Sequence, residues 1–352
     1  MAVPRTAGYG SPPVPGTREI GGSGEGRLAR LRRVLLPGEP RGAGRRRLLR
    51  LGGVALLGAF AVLAARSVDL AAVGAALAAA DARLVVAAMA GNLLSLAAHA
   101  GRWVALVPRA AGRPQFRDAF AAMNAGFAVS IVVPARAGDV VRAWILARRT
   151  GTSTATGVAV TGLDYVVGAA TLVPLGALLA LAAPVPPWVR HALLAFAAAS
   201  AVGIGLAAWL RPRGAQAAAG AGGLVAHLRA GLAASGDPAA LGTAAAWGFA
   251  GWAAELLIAH LSLAALGLPA DLVRSSLVVL AATAGGIVAF SPGAAGPFEL
   301  AIVLALAGTG IERAPALAAA LLYHVVHLAP VAVLGGLALV RELRGEPAGR
   351  SP

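Results

Sequence analysis

Pro134-Ala135-Arg136-Ala137-Gly138-Asp139-Val140-Val141-Arg142 and Ser291-Pro292-Gly293-Ala294-Ala295-Gly296-Pro297-Phe298-Glu299 each break an apolar stretch, and each sets charge beside the break. Inside a bilayer, backbone leaves the helix only where protein or a water-filled cavity satisfies the freed polar groups. Charge at such depth is expensive and functional by default. Two breaks of this kind point to a site rather than to a simple anchor.

Outward from the breaks, the chain of 352 residues is 58% hydrophobic and 13% charged, with a mean hydropathy of +0.76. That composition belongs to a polytopic membrane protein. The absence of Cys excludes a disulfide, thiol catalysis and any Cys-based metal site. The 30 basic residues are all Arg and give a net charge of +15. They cluster at the ends of apolar segments, where they set topology, so no nucleic-acid partner is expected. Residues 1–47 are rich in Gly, Pro and Arg and lack apolar periodicity. They read as a disordered basic cytoplasmic tail. Residues 341–352 read as a short cytoplasmic tail, and 48–340 as the transmembrane domain between them.

Apolar segments fall at about 48–65, 84–101, 118–133, 138–147, 154–183, 189–210, 239–267, 272–290, 297–311 and 314–340. A span needs about 20 residues. Segments 118–133 and 138–147 flank the first break, and 272–290 and 297–311 flank the second. Each pair is read as a re-entrant hairpin, with Pro134, Gly138, Pro292, Gly293 and Gly296 shaping the turns. The expected fold is all-α: about six full spans plus two re-entrant helical hairpins, the alternative being full crossings that give about eight to ten spans. Threaded so, Arg102, Arg109, Arg113, Arg117, Arg148, Arg149, Arg211, Arg213, Arg229, Arg341, Arg344 and Arg350 fall in inside loops. Both termini are then cytoplasmic, by the excess of Arg on that side. Half one reads span, span, hairpin, span, and half two, from about 189, repeats it inverted. Inverted repeats with broken helices recur in secondary transporters. Residues 69–80 read as a short surface helix, and 214–236 as a cytoplasmic loop.

Candidate site residues follow. Asp139 and Arg142 are three apart and share a helix face. A half-helix starting after Pro134 offers free N–H groups and a positive end, so Arg136 and Arg142 suit a phosphate there. Asp139 orients one of these Arg residues or caps the half-helix. Glu299 sits in the first turn after Pro297, where a carboxylate suits the dipole, and is a candidate for a proton or a cationic headgroup. Asp164 and Glu255 lie inside long spans and require partners, with Arg136 or Arg142 expected for Asp164. Asn92 and Asn124 are expected to hydrogen-bond between helices. His99, His260 and the i,i+3 pair His324 and His327 read as hydrogen-bonded packing residues, without metal-ligand spacing. No catalytic pair, metal or cofactor is expected.

These motifs resemble the flippase-like membrane family that includes the transmembrane domain of lysylphosphatidylglycerol synthases. The carriers are Arg102-Trp103, the Pro134-x-Arg136-x-Gly138-Asp139-x-x-Arg142 run, Asp164, and Pro292-Gly293-x-x-Gly296-x-x-Glu299. The resemblance covers most of 48–340 and implies movement of aminoacylated or otherwise modified lipids between leaflets. Asp139 stands where the family usually has Glu, and Ala294 where a second Gly often follows Pro-Gly. The chain ends soon after its last span, so no aminoacyltransferase domain is expected. The expected function is a plasma-membrane lipid translocase for an anionic or modified phospholipid, not an enzyme. The alternative is a non-transporting accessory protein for a separate glycosyltransferase or lipid-modifying enzyme.

Overall fold

The computed structural model describes residues 68–107, 114–133, 137–150, 153–182, 187–210, 237–287 and 291–344. Its regular elements are helices, with no strand among the described residues. They are α1 (Leu70–Ala78), α2 (Ala82–Leu106), α3 (Phe116–Val132), α4 (Ala137–Thr150), α5 (Thr154–Ala182), α6 (Pro187–Leu210), α7 (Pro238–Ala265), α8 (Leu272–Ile287), α9 (Pro297–Ala307) and α10 (Arg313–Arg344). Local chemistry sets many of the starts. Asp69, Asp81 and Asp237 accept from the first backbone N–H groups of α1, α2 and α7. Pro238 and Pro297 occupy first-turn positions, where no N–H is needed.

Among the described residues, four helices are long and apolar enough to cross a membrane: α2, α5, α7 and α10. The helices on either side of each break are shorter, so the breaks separate paired helices as the sequence predicts. The expected span at 48–65, the tail at 1–47, the loop at 214–236, Pro134 and Arg136 lie outside the described residues.

Contacts repeat in the same order in both halves. α2 packs on α3, α3 on α4, and α4 on α5; likewise α7 packs on α8, α8 on α9, and α9 on α10. The corresponding long helices α2 and α7 share the most extensive interface among the described helices, and α10 lies along α3. One core gathers Trp103, Leu106, Met123, Val141 and Ile145; the other gathers Ile258, Leu263, Ile302, Leu306 and Val326.

Glycine lets the short helices cross backbone to backbone. A Cβ on Gly138 would stand 1.8 Å from the Gly126 carbonyl oxygen, and one on Gly285 would stand 2.6 Å from that of Pro297. Close approach of this kind is how small residues substitute for a hydrophobic drive between helices in lipid. Gly335 of α10 does the same against Asn124 of α3, where an added Cβ would stand 2.1 Å from the carbonyl oxygen.

At the far end of α4, Arg148 donates to Glu342 at 2.8 Å, and Arg149 bridges Asp118 at 2.5 Å and Glu342 at 2.8 Å. These residues close the last turn of α4 against the ends of α3 and α10. Arg102 departs from the sequence reading. Instead of a loop position, it occupies the last turns of α2, 5% exposed. α2 runs on to Leu106 because the Arg finds a carboxylate partner inside the bundle.

The turn of the second hairpin is left-handed at Gly293 (φ 60°), Ala294 (φ 60°) and Gly296 (φ 96°). Ala294 takes about 1–2 kcal/mol of strain there. Replacing Ala294 with Gly is expected to raise thermal stability by about 1 kcal/mol, measured by thermal shift in detergent. Gly138→Ala is expected to lower it by at least about 1–3 kcal/mol. Gly162→Ala, where an added Cβ meets nothing within 4 Å, is the tolerated control.

A candidate site between the two helix pairs

A paired charge cluster fills the bundle beside the first hairpin. Arg102 Nε donates to Asp164 Oδ1 at 2.6 Å. Arg142 Nη1 lies 3.6 Å from Asp164 Oδ2, and its Nη2 lies 3.2 Å from Asp139 Oδ1. Tyr165 donates to both oxygens of Asp139, at 2.8 and 3.0 Å. Two guanidinium groups thus meet two carboxylates, which is what charge at membrane depth demands. Arg142 is 1% exposed and is boxed by Trp103, Phe127 and Tyr165, whose ring centroids lie 5.9, 6.0 and 5.3 Å from its Cζ. Gly168, one turn beyond Asp164 on α5, leaves room for Arg102: an added Cβ would stand 3.1 Å from Nη1.

The second hairpin carries its own cluster. Glu299 accepts from the Gly296 N–H at 2.6 Å, capping α9, and pairs with His324 Nδ1. His324 Nε2 lies 2.9 Å from the Gly293 carbonyl oxygen. The imidazole therefore ties α10 to both ends of the turn. Glu255 of α7 accepts from Ser95 at 2.6 Å and Tyr323 at 2.7 Å, and lies 2.9 Å from His327 Nε2. Asn92 of α2 donates to the Val326 carbonyl of α10 at 2.9 Å, an interhelical bond as expected. Asn124 instead donates to Phe120 on its own helix, at 2.8 Å. Its part in the α3–α10 contact is played by its backbone, against Gly335.

Between the clusters lies a cavity of about 310 Å³. Phe127, Ser130 and Ile131 of α3 wall one side, and Ser291, Gly293 and Ala294 of the second turn wall the other. Gly293 sits close to the Ile131 carbonyl, so the second turn meets the last turns of α3 here. Asn92, Ser95, His99, Asp139, Tyr165, Glu255 and His327 supply its polar lining.

Of the residues singled out in the sequence, Asp139 reaches this cavity, while Arg142 and Asp164 stand behind it. Glu299 is 3% exposed and holds the second turn rather than lining the cavity. Arg102 and His327 were not singled out as site residues. The spacing of Asp164 and Gly168, four apart on one helix face, was the available signal for the bulk of Arg102.

A bundle of long apolar helices that buries paired charges beside a cavity is a multi-pass membrane protein. The chain belongs to the family described as the lysylphosphatidylglycerol synthase TM region, which matches residues 49–335. No curated protein and no solved structure matches the chain.

Asp164 balances two buried guanidinium groups, so Asp164→Asn is expected to cost about 3–5 kcal/mol, as loss of one partner of a buried pair does. Adding Arg102→Gln to that variant is expected to recover part of the loss. A double-mutant cycle on thermal stability would then show coupling of about 0.5–3 kcal/mol. Additive losses would show that the pair does not interact.

Proposed function

We propose that this protein is a lipid translocase of the plasma membrane, a transporter rather than an enzyme. The observation that carries the proposal is the cavity between α3 and the second turn, mainly apolar but bordered by Asp139, Glu255 and His327. Within an otherwise apolar bundle, that cavity offers a headgroup hydrogen-bond partners while acyl chains remain in lipid. Membership of a family tied to lipid modification supports a lipid as cargo.

In this reading α3–α4 and α8–α9 are re-entrant hairpins entering from opposite faces, and six spans complete the fold. Both termini are cytoplasmic, placing the inner-loop Arg residues on the positive side. The repeated order of helix contacts is then an inverted repeat. Asp139 and Tyr165 present their polar groups to the cargo. Arg142 and Asp164 hold Asp139 in place, and a phosphate reaches the Arg142 guanidinium by displacing Asp139. Arg136, on the same hairpin, is the candidate first contact for the phosphate of an anionic or modified phospholipid. Glu299 keeps the second turn in register through Gly296 and His324. A separate lipid-modifying enzyme would supply a modified lipid.

The test is translocation of fluorescent anionic and zwitterionic phospholipids in liposomes containing the purified protein. Arg136→Ala, Asp139→Asn and Arg142→Ala are each expected to slow it about tenfold or more, the equivalent of one lost charged contact. Wild-type rates in all three would remove these roles. Absence of translocation for every lipid would favour the accessory-protein reading.

A further inference from the structure

The cavity wall opposite Asp139 holds a second acid, and its countercharge is of a different kind. His327 Nδ1 lies 2.7 Å from the Tyr323 carbonyl oxygen, which only accepts, so Nδ1 bears a hydrogen. His327 Nε2 lies 2.9 Å from Glu255 Oε2. Two bare acceptors would repel at that distance, so one proton lies between them. Glu255 already accepts from Ser95 and Tyr323. The hydrogen-bond partners therefore assign the proton to His327, giving an imidazolium beside a carboxylate. The His327 side chain is 24% exposed and lines the cavity together with Glu255, so the pair borders whatever fills it.

The surrounding charges single out this pair. On α2, His99 Nδ1 sits 3.0 Å from Arg102 Nη2, a group that only donates, so His99 accepts there and is neutral. Arg102 itself is held by Asp164 of α5. On α4, Asp139 has Arg142 beside it, and on α5 Tyr165 donates to Asp139. On α9, Glu299 has His324 of α10, away from the cavity. Tyr323 of α10 donates to Glu255. Among the described residues, Glu255 is thus the cavity-lining carboxylate whose ion-pair partner can lose its charge.

We propose that Glu255 and His327 form a proton site that couples translocation to the proton gradient; this rests on the translocase reading above. The proton passes from His327 Nε2 to water in the cavity, breaking an N–H bond and forming an O–H bond. The wall then changes from a neutral pair to one negative charge. By linkage, a cargo that senses this charge shifts proton affinity by the same factor that the proton shifts cargo affinity.

Two measurements on the full chain test it. The first is ¹⁵N-histidine NMR in nanodiscs, with the His327 signals identified by their loss in His327→Gln. Both ring nitrogens are expected to be protonated at about pH 7, near the ordinary histidine range. Glu255→Gln is expected to return the ring to neutral; if that variant does not fold, the wild-type titration decides. A neutral His327 down to about pH 6 would overturn the site. The second uses proteoliposomes of phosphatidylglycerol and phosphatidylethanolamine, loaded with a pH dye and carrying a fluorescent phospholipid. An imposed gradient is expected to change translocation by up to about tenfold per pH unit, the slope of one proton, with internal pH moving in step. That dependence is expected to flatten in Glu255→Gln and His327→Gln. Translocation that ignores the gradient in wild type would overturn the coupling alone. No translocation in any arm would overturn the translocase reading and the coupling with it, while the NMR result would still decide the proton site.

Discussion

One carboxylate, Asp164, carries the electrostatic weight of the first half of the bundle. It stands between Arg102 and Arg142, both buried, and neither guanidinium can shed its charge. Without Asp164, two cations would face apolar helices with only Asp139 near one of them. The surrounding structure follows from housing that cluster. Gly168 clears space for Arg102, Tyr165 turns its hydroxyl to Asp139, and aromatic rings close over Arg142. The helices α2, α4 and α5 are thereby fixed against one another by charge as well as by packing.

Close backbone crossings place this cluster next to a cavity rather than in a solid core. Gly126 and Gly138 bring α3 onto α4, and Gly285 brings α8 onto Pro297 of α9. Helices this close leave little side-chain volume between them, so each pair behaves as a compact wedge. Where the two wedges meet, Gly293 approaches Ile131 without filling the space beside it. The polar groups that border the space are held by partners within the bundle: Asn92 by Val326, Ser95 by Glu255, and Asp139 by Tyr165. Small residues at the crossings and polar residues at the tips are thus two parts of one arrangement.

Much of this could be read from the chain. The interruption between Val132 and Ala137, the turn at Pro292, the short helices flanking them and the four long apolar helices among the described residues follow from apolar run length and Pro-Gly content. Arg102 escaped because run length treats an Arg as the end of a span, whereas a buried acid one helix away lets the helix continue. Glu255 and His327 are 72 residues apart, so their pairing depends on how α7 meets α10, which no local pattern encodes. The contact role of Asn124 was misassigned for a related reason. A side chain on a helix can bond its own preceding carbonyl, and only the neighbour's shape decides whether it does.

The two halves use the same number of charges in chemically different ways. Half one pairs Asp139 and Asp164 with Arg142 and Arg102; half two pairs Glu255 and Glu299 with His327 and His324. Arg is charged at every pH the cell meets, so the first half is electrostatically fixed. An imidazole can change state near neutral pH, so the acid pairs of the second half have partners whose charge is conditional. Its two pairs are not equivalent either. His324 is buried and grips the turn at Gly293. His327 opens onto the cavity, so losing its proton changes what the cavity holds. A repeat whose halves share a contact pattern but differ in the permanence of their charge has one half suited to act as frame and the other as the responsive side.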